Sequence, residues 1–85
     1  MAEISVTLKV MPEGKETDLE KIKEEIKSRL DPHSIEEEEV AFGLKSLNVK
    51  KVIPDDSGGT DEIEEAILEI DDVKDVRVID QRKLL

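Results

Sequence analysis

Cysteine, tryptophan and tyrosine are absent from this chain, and it holds one phenylalanine and one histidine. The lack of cysteine removes disulfides, thiol nucleophiles and thiolate metal sites together, and it suits a reducing compartment. A lone histidine among dispersed serines and threonines forms no recognisable set of nucleophile, base and orienting group, so hydrolytic chemistry is not expected. There is neither a leading apolar segment nor a run of about 18 apolar residues, which argues against export or membrane spanning and for a cytoplasmic location. Positive charge is scarce too: 13 Lys and Arg stand against 23 Asp and Glu, a formal net charge of -10. Such a chain meets a nucleic-acid backbone with the wrong sign and docks more readily on a basic protein surface. Nothing in the residues calls for a cofactor or a metal.

What is present is a lean aliphatic set in a heavily charged chain. Hydrophobic residues are 36% of the 85 and charged residues 42%, enough for one domain with a single core. At this size about 60 to 65% of the extended surface is buried, so nearly every regular element must lend aliphatic side chains.

Those side chains are periodic. Ile4, Val6, Leu8 and Val10 face one way while Ser5, Thr7 and Lys9 face the other, the pattern of a strand buried on one side. Met11-Pro12 is expected to end it, because Pro12 has no N–H for a ladder, and Pro12 to Glu16 reads as an exposed turn. Thr17-Asp18-Leu19-Glu20 has the form of a capping box, with Thr17 as the cap and Glu20 reaching back. Leu19, Ile22, Ile26 and Leu30 then make a helical stripe, flanked by Glu20/Lys23, Glu24/Lys27 and Glu25/Arg29 at ion-pair spacing. Pro32 disfavours helical geometry at Asp31 and stops the helix there. His33 reads as an exposed loop residue.

Ser34 to Pro54 holds the only aromatic residue, Phe42, which either fills the core or contacts a partner. Glu36 to Glu39 is a solvated edge that discourages sheet association, or a patch for a partner's lysines and arginines. Gly43 permits a bend or bulge between two extended pieces. Beyond it Leu47, Val49 and Ile53 share a strand phase in which Lys51 is out of place. Either the strand bulges near Lys50-Lys51, or that face lies near solvent. Pro54 to Gly59 is a turn by composition and lacks the spacing and ending of a phosphate-binding loop. Thr60 is a suitable cap for a second helix with a stripe of Ile63, Ala66, Ile67 and Ile70. Val73 to Ile79 contain a last strand, with Val76 and Val78 on one face and Arg77 on the other. Asp80 to Leu85 reads as a frayed tail, or as a basic pair reaching a negative site on another molecule.

Strand, helix, strand, strand, helix, strand in this length closes most economically as an α+β, ferredoxin-like split β-α-β sandwich: a four-stranded antiparallel sheet with two helices on one face. The other sheet face is left to water or a partner. Many functions share that plait, including RNA binding and small-ligand regulation. An RNA-recognition sheet stacks bases on exposed aromatics, and here Phe42 alone is available.

Phe42-Gly43-Leu44-Lys45, with Val52-Ile53-Pro54-Asp55-Asp56, the Gly58-Gly59-Thr60 helix start and the terminal Arg82-Lys83-Leu84, resembles the archaeal elongation factor 1-beta family. It is also similar to the carboxy-terminal exchange domain of the eukaryotic elongation factor 1-beta. The resemblance covers essentially the whole chain and implies one guanine nucleotide exchange domain over residues 1–85. Its implied partner is elongation factor 1-alpha, the GTPase that brings aminoacyl-tRNA to the ribosome; no covalent chemistry, direct nucleic-acid contact or membrane is implied. In the family a lysine near the carboxyl terminus intrudes on the partner's magnesium site. The matching position is Lys83, or Arg82 if the register is shifted by one. The family phenylalanine before a glycine, at the partner interface, is matched by Phe42 and Gly43. Lys45 is a further candidate contact in the same segment, or a solvated strand lysine. The chain departs from the eukaryotic pattern around Ser57-Gly58-Gly59 and in having no aromatic other than Phe42 near the second strand.

Overall fold

A computed structural model describes residues 3–14, 16–41, 43–54 and 60–84. The elements follow the order β1 (Glu3–Pro12), α1 (Leu19–Leu30), β2 (Ser34–Ala41), β3 (Leu44–Pro54), α2 (Asp61–Leu68) and β4 (Val73–Leu84). The four strands form one sheet in the order β2-β3-β1-β4, and every neighbouring pair is antiparallel. Strands joined through a helix are thus not neighbours: each helix carries the chain over an intervening strand, which is the expected ferredoxin-like split β-α-β sandwich.

Alternation decides which face is buried. Val6, Leu8 and Val10 stand across from Lys51, Val49 and Leu47, and all of these but Lys51 belong to the core cluster. Ile22 and Ile26 of α1 and Ile63, Ile67 and Ile70 on and beyond α2 complete that cluster, so both helices cover the same face. Val76 and Val78 of β4 pack against it. The opposite face, in phase with Ser5, Thr7 and Lys9, bears no helix among the described residues.

Several local expectations are corrected. Asp18, not Thr17, caps α1. Its carboxylate accepts from the Glu20 and Lys21 N–H groups at 3.1 and 3.4 Å, and its backbone has the extended geometry an N-cap requires. Thr17 Oγ1 accepts from the Gly14 N–H at 3.1 Å instead, and the Glu20 carboxylate takes Lys23 at 3.2 Å rather than reaching back. Glu25 and Arg29 pair at 3.4 Å as spaced. Glu24 and Lys27 form no ion pair among the described residues. Asp31 ends α1 with φ 48, a left-handed geometry that aspartate tolerates and that leaves the helix before Pro32. Thr60 stands at the N-cap of α2, yet its hydroxyl donates to Glu64 Oε1 at 3.2 Å and caps no amide. His33 is exposed, and its N–H donates to the Lys50 carbonyl at 2.7 Å.

β3 does not bulge at Lys50-Lys51: Val52, Lys51 and Lys50 pair in unbroken register with Ser5, Val6 and Thr7. Lys51 stays in the core-facing phase because its ammonium donates to the Leu30 carbonyl at 2.6 Å. The stem covers the sheet while the charge meets the negative end of α1 and satisfies one of its orphan carbonyls.

The carboxyl end is no frayed tail. β4 runs to Leu84 and pairs with the whole of β1, its last residues Gln81, Arg82, Lys83 and Leu84 lying across from Val6, Ser5, Ile4 and Glu3. Thr7 pairs with Asp80 and Leu8 with Val78, so Ile79 is the extra residue of a bulge and is 48% exposed.

Candidate functional site

The hairpin end of the sheet is positioned by Gly43. Ala41 pairs with Leu44, and Gly43 between the strands has φ 79, a region closed to most side chains by the clash of Cβ with the backbone. Phe42 lies outside the described residues, as does the segment 55–59 that holds the departures at Ser57, Gly58 and Gly59.

Gly43 and Lys45 are brought together on a groove of about 330 Å³ where the hairpin meets the start of α1, bordered also by Pro12, Gly14, Leu19 and Glu37. Pro12 and Leu19 give it an apolar floor and Glu37 a charged wall. Glu37 is the residue that sequence reasoning missed. Within the four glutamates, Glu37 shares the phase of Ile35 and lies on the helix side, while Glu36 and Glu38 lie on the open side. Its carboxylate takes Lys23 of α1 at 2.6 Å and comes within 3.9 Å of Lys45 Nζ. The Lys23 hydrogen bond holds the Glu37 carboxyl below its ordinary value, with the charges of Lys23 and then Lys45 adding to it. The same hydrogen bond raises Lys23. Glu37 therefore ties helix to hairpin and fixes the charge beside Lys45, whose side chain is 52% exposed. The signal available in the sequence was the strand phase of Ile35 and Glu37, masked by the uniformity of the run. β2 is an edge strand, as a solvated acidic tract would have it, and Glu37 is an exposed member of that tract braced by Lys23.

Arg82 and Lys83 are not at the groove. Lys83 pairs with Ile4 and Arg82 with Ser5, near the start of β1, whereas Lys45 and Gly43 lie past its Pro12 end. At roughly 3.3 Å per strand residue the two regions are about 26 Å apart along β1. Strand alternation also separates the two basic residues from each other. Arg82 takes the open-face phase of Ser5, where its Nε meets Asp80 at 3.0 Å, and Lys83 takes the helix-face phase of Ile4. Both are exposed.

The described residues thus form a ferredoxin-like sheet with a braced hairpin at one end and exposed basic residues at the other. The family model described as the EF-1 guanine nucleotide exchange domain matches residues 5–84. The chain is 47% identical over 88 residues to the elongation factor 1-beta of Methanosphaera stadtmanae, covering all of both chains. It is 43% identical over 89 residues to that of Methanothermobacter thermautotrophicus, again over all of both. Against that of Haloarcula marismortui it is 39% identical over 92% of this chain and 93% of the other. The chain belongs to the EF-1 guanine nucleotide exchange domain family, whose relatives named here are archaeal. Its function is guanine nucleotide exchange on elongation factor 1-alpha in translation elongation, and it is not itself an enzyme. Among the described residues no helix is long and apolar enough to cross a membrane.

Proposed function

We propose that the two ends of the sheet divide the work of exchange on elongation factor 1-alpha. Gly43 and Lys45 dock the partner at the hairpin end, together with Phe42, which precedes Gly43 in the sequence. Lys83 acts from the other end on the nucleotide site. The observation that carries this reading is the placement of the two candidate groups at opposite ends of one strand, Lys83 across from Ile4 and the hairpin past Pro12. A span of about 26 Å suits a partner touched at two places. Strand alternation gives Lys83 and Arg82 different faces, so only one of them meets a surface docked on a given side.

The chemistry needed is electrostatic. The Lys83 ammonium, a compact charge on a flexible stem, enters the negative field of the partner's phosphates and carboxylates and competes there with its Mg²⁺. Binding then favours the nucleotide-poor state of the GTPase over the GDP-bound state, and by linkage nucleotide affinity falls as the exchange factor binds. The overall charge of -10 aids encounter where the partner surface is basic. It opposes direct nucleic-acid contact, as does the lack of any aromatic among the described residues of the open face. Residues 1–85 act as one exchange domain in the cytoplasm. Stopped-flow release of fluorescent GDP from elongation factor 1-alpha, with and without this protein, tests the reading: acceleration is expected, and complex formation without acceleration overturns it.

A further inference from the structure

We propose that the open face of the sheet carries a small-anion site, built by Lys9, Lys74 and Arg77, that takes a single phosphate group. The three side chains border, with Met11 and Asp75, a groove of about 320 Å³ at the β1–β4 boundary. Lys9 stands directly across from Arg77 in the ladder. Like charges directly opposed across two strands destabilise a sheet, so this register needs compensation.

The described residues compensate it weakly. Lys9 meets Glu38 at 3.8 Å and Arg77 meets Asp75 at 3.8 Å, with the Arg77 and Asp75 side chains 76% and 51% exposed. Lys74 makes no ion pair with a described residue. It occupies the step at which the β1–β4 register shifts between Met11 and Pro12, and this irregularity places a third cation on the same rim.

The ligand chemistry follows from the donors. A guanidinium fork flanked by two ammonium groups matches phosphate oxygens through charge-assisted hydrogen bonds. One phosphate is accommodated locally. An extended polyanion is not, because the chain as a whole, at a net -10, repels it.

The test is a titration of the isotope-labelled protein with inorganic phosphate, followed by amide chemical shifts, against sodium chloride of matched ionic strength. Saturable shifts centred on Lys9, Lys74 and Arg77 are expected, with affinity about tenfold weaker in Arg77→Gln. The thermal midpoint should rise more with phosphate in the native protein than in Arg77→Gln, where the side chain is 76% exposed and its replacement leaves the core intact. GDP release is expected to be unchanged in that variant, which separates this site from the exchange reading. Shifts that do not saturate, that chloride reproduces, or that persist undiminished in Arg77→Gln overturn the site. Saturation by a single-stranded oligonucleotide with none by phosphate overturns the single-anion assignment.

Discussion

The two ends of the sheet are built differently, though the same two central strands run between them. At the hairpin end, Gly43 sets a left-handed turn, Glu37 ties Lys23 and Lys45 together, and Pro12 and Leu19 floor a groove. At the carboxyl end, β4 continues past its last core contact, and from Ile79 to Leu84 its side chains are exposed. One end is braced by side-chain ion pairs, and the other presents charge on a strand paired to β1. A braced surface suits affinity, because less is lost in ordering it. A long exposed ammonium suits a task that begins only once the complex has formed.

If that division is right, changes at the two ends should separate rate from affinity. The largest effect is expected for Lys83→Ala, which should reduce accelerated GDP release roughly 5- to 150-fold while keeping most of the partner affinity, the range typical of coupling between two ligands. Arg82→Ala removes an exposed pair with Asp80 and should change release little. The opposite ranking in stopped-flow traces would exchange their roles. Phe42→Ala comes next, with a loss of about 2 kcal/mol or more in binding, as for an interface aromatic, and near-native unfolding in urea. A loss of several kcal/mol in stability with affinity intact would make Phe42 a core residue and leave the hairpin end without its docking group.

How far these ends could be read from the sequence differs in the same way. The alternation of Ile4 to Val10 and the stripes Ile22/Ile26 and Ile63/Ile67/Ile70 were legible because burial imposes a period, and each of these residues is in the core or packs against it. The end of β4 was not legible, because Asp80-Gln81-Arg82-Lys83 buries nothing and so carries no period. Its strand geometry comes from pairing with Glu3 to Thr7, a long-range partnership that local pattern does not encode. Glu37 and Lys51 were obscured for a related reason: both occupy core-facing phases as charged residues, and each is tolerated because α1 supplies a partner, Lys23 for one and the Leu30 carbonyl for the other.

Lys51 lies between the two ends and serves as a control. Lys51→Met leaves the Leu30 carbonyl without its donor and should cost about 1 to 3 kcal/mol in stability, with release rate and affinity unchanged below the unfolding transition. A change in either would mean that α1 transmits strain to one of the ends, and they would no longer count as independent.

The smallest effect concerns how the hairpin end is held. Glu37→Gln removes the carboxylate that Lys23 holds below its ordinary value of 4.5, chiefly through their hydrogen bond. A carboxyl group whose native pKa lies below its unfolded one adds stability above the unfolded value, and that stability is lost as pH falls through the native one. The advantage of the native protein over Glu37→Gln should therefore be complete at neutral pH and fade below 4.5. Lys23 behaves in the reverse sense: its raised pKa adds stability that is full below 10.5 and lost as pH rises through the native value. Urea unfolding of both proteins between about pH 3 and pH 8 reads the acid limb. A constant difference across that range would exclude the ion pair as its source. At neutral pH the same variant should bind elongation factor 1-alpha slightly less tightly, because Lys45 loses the charge that fixes it beside Gly43. An unchanged affinity would place the docking shape in the Gly43 turn alone and leave Glu37 as a tie between helix and sheet.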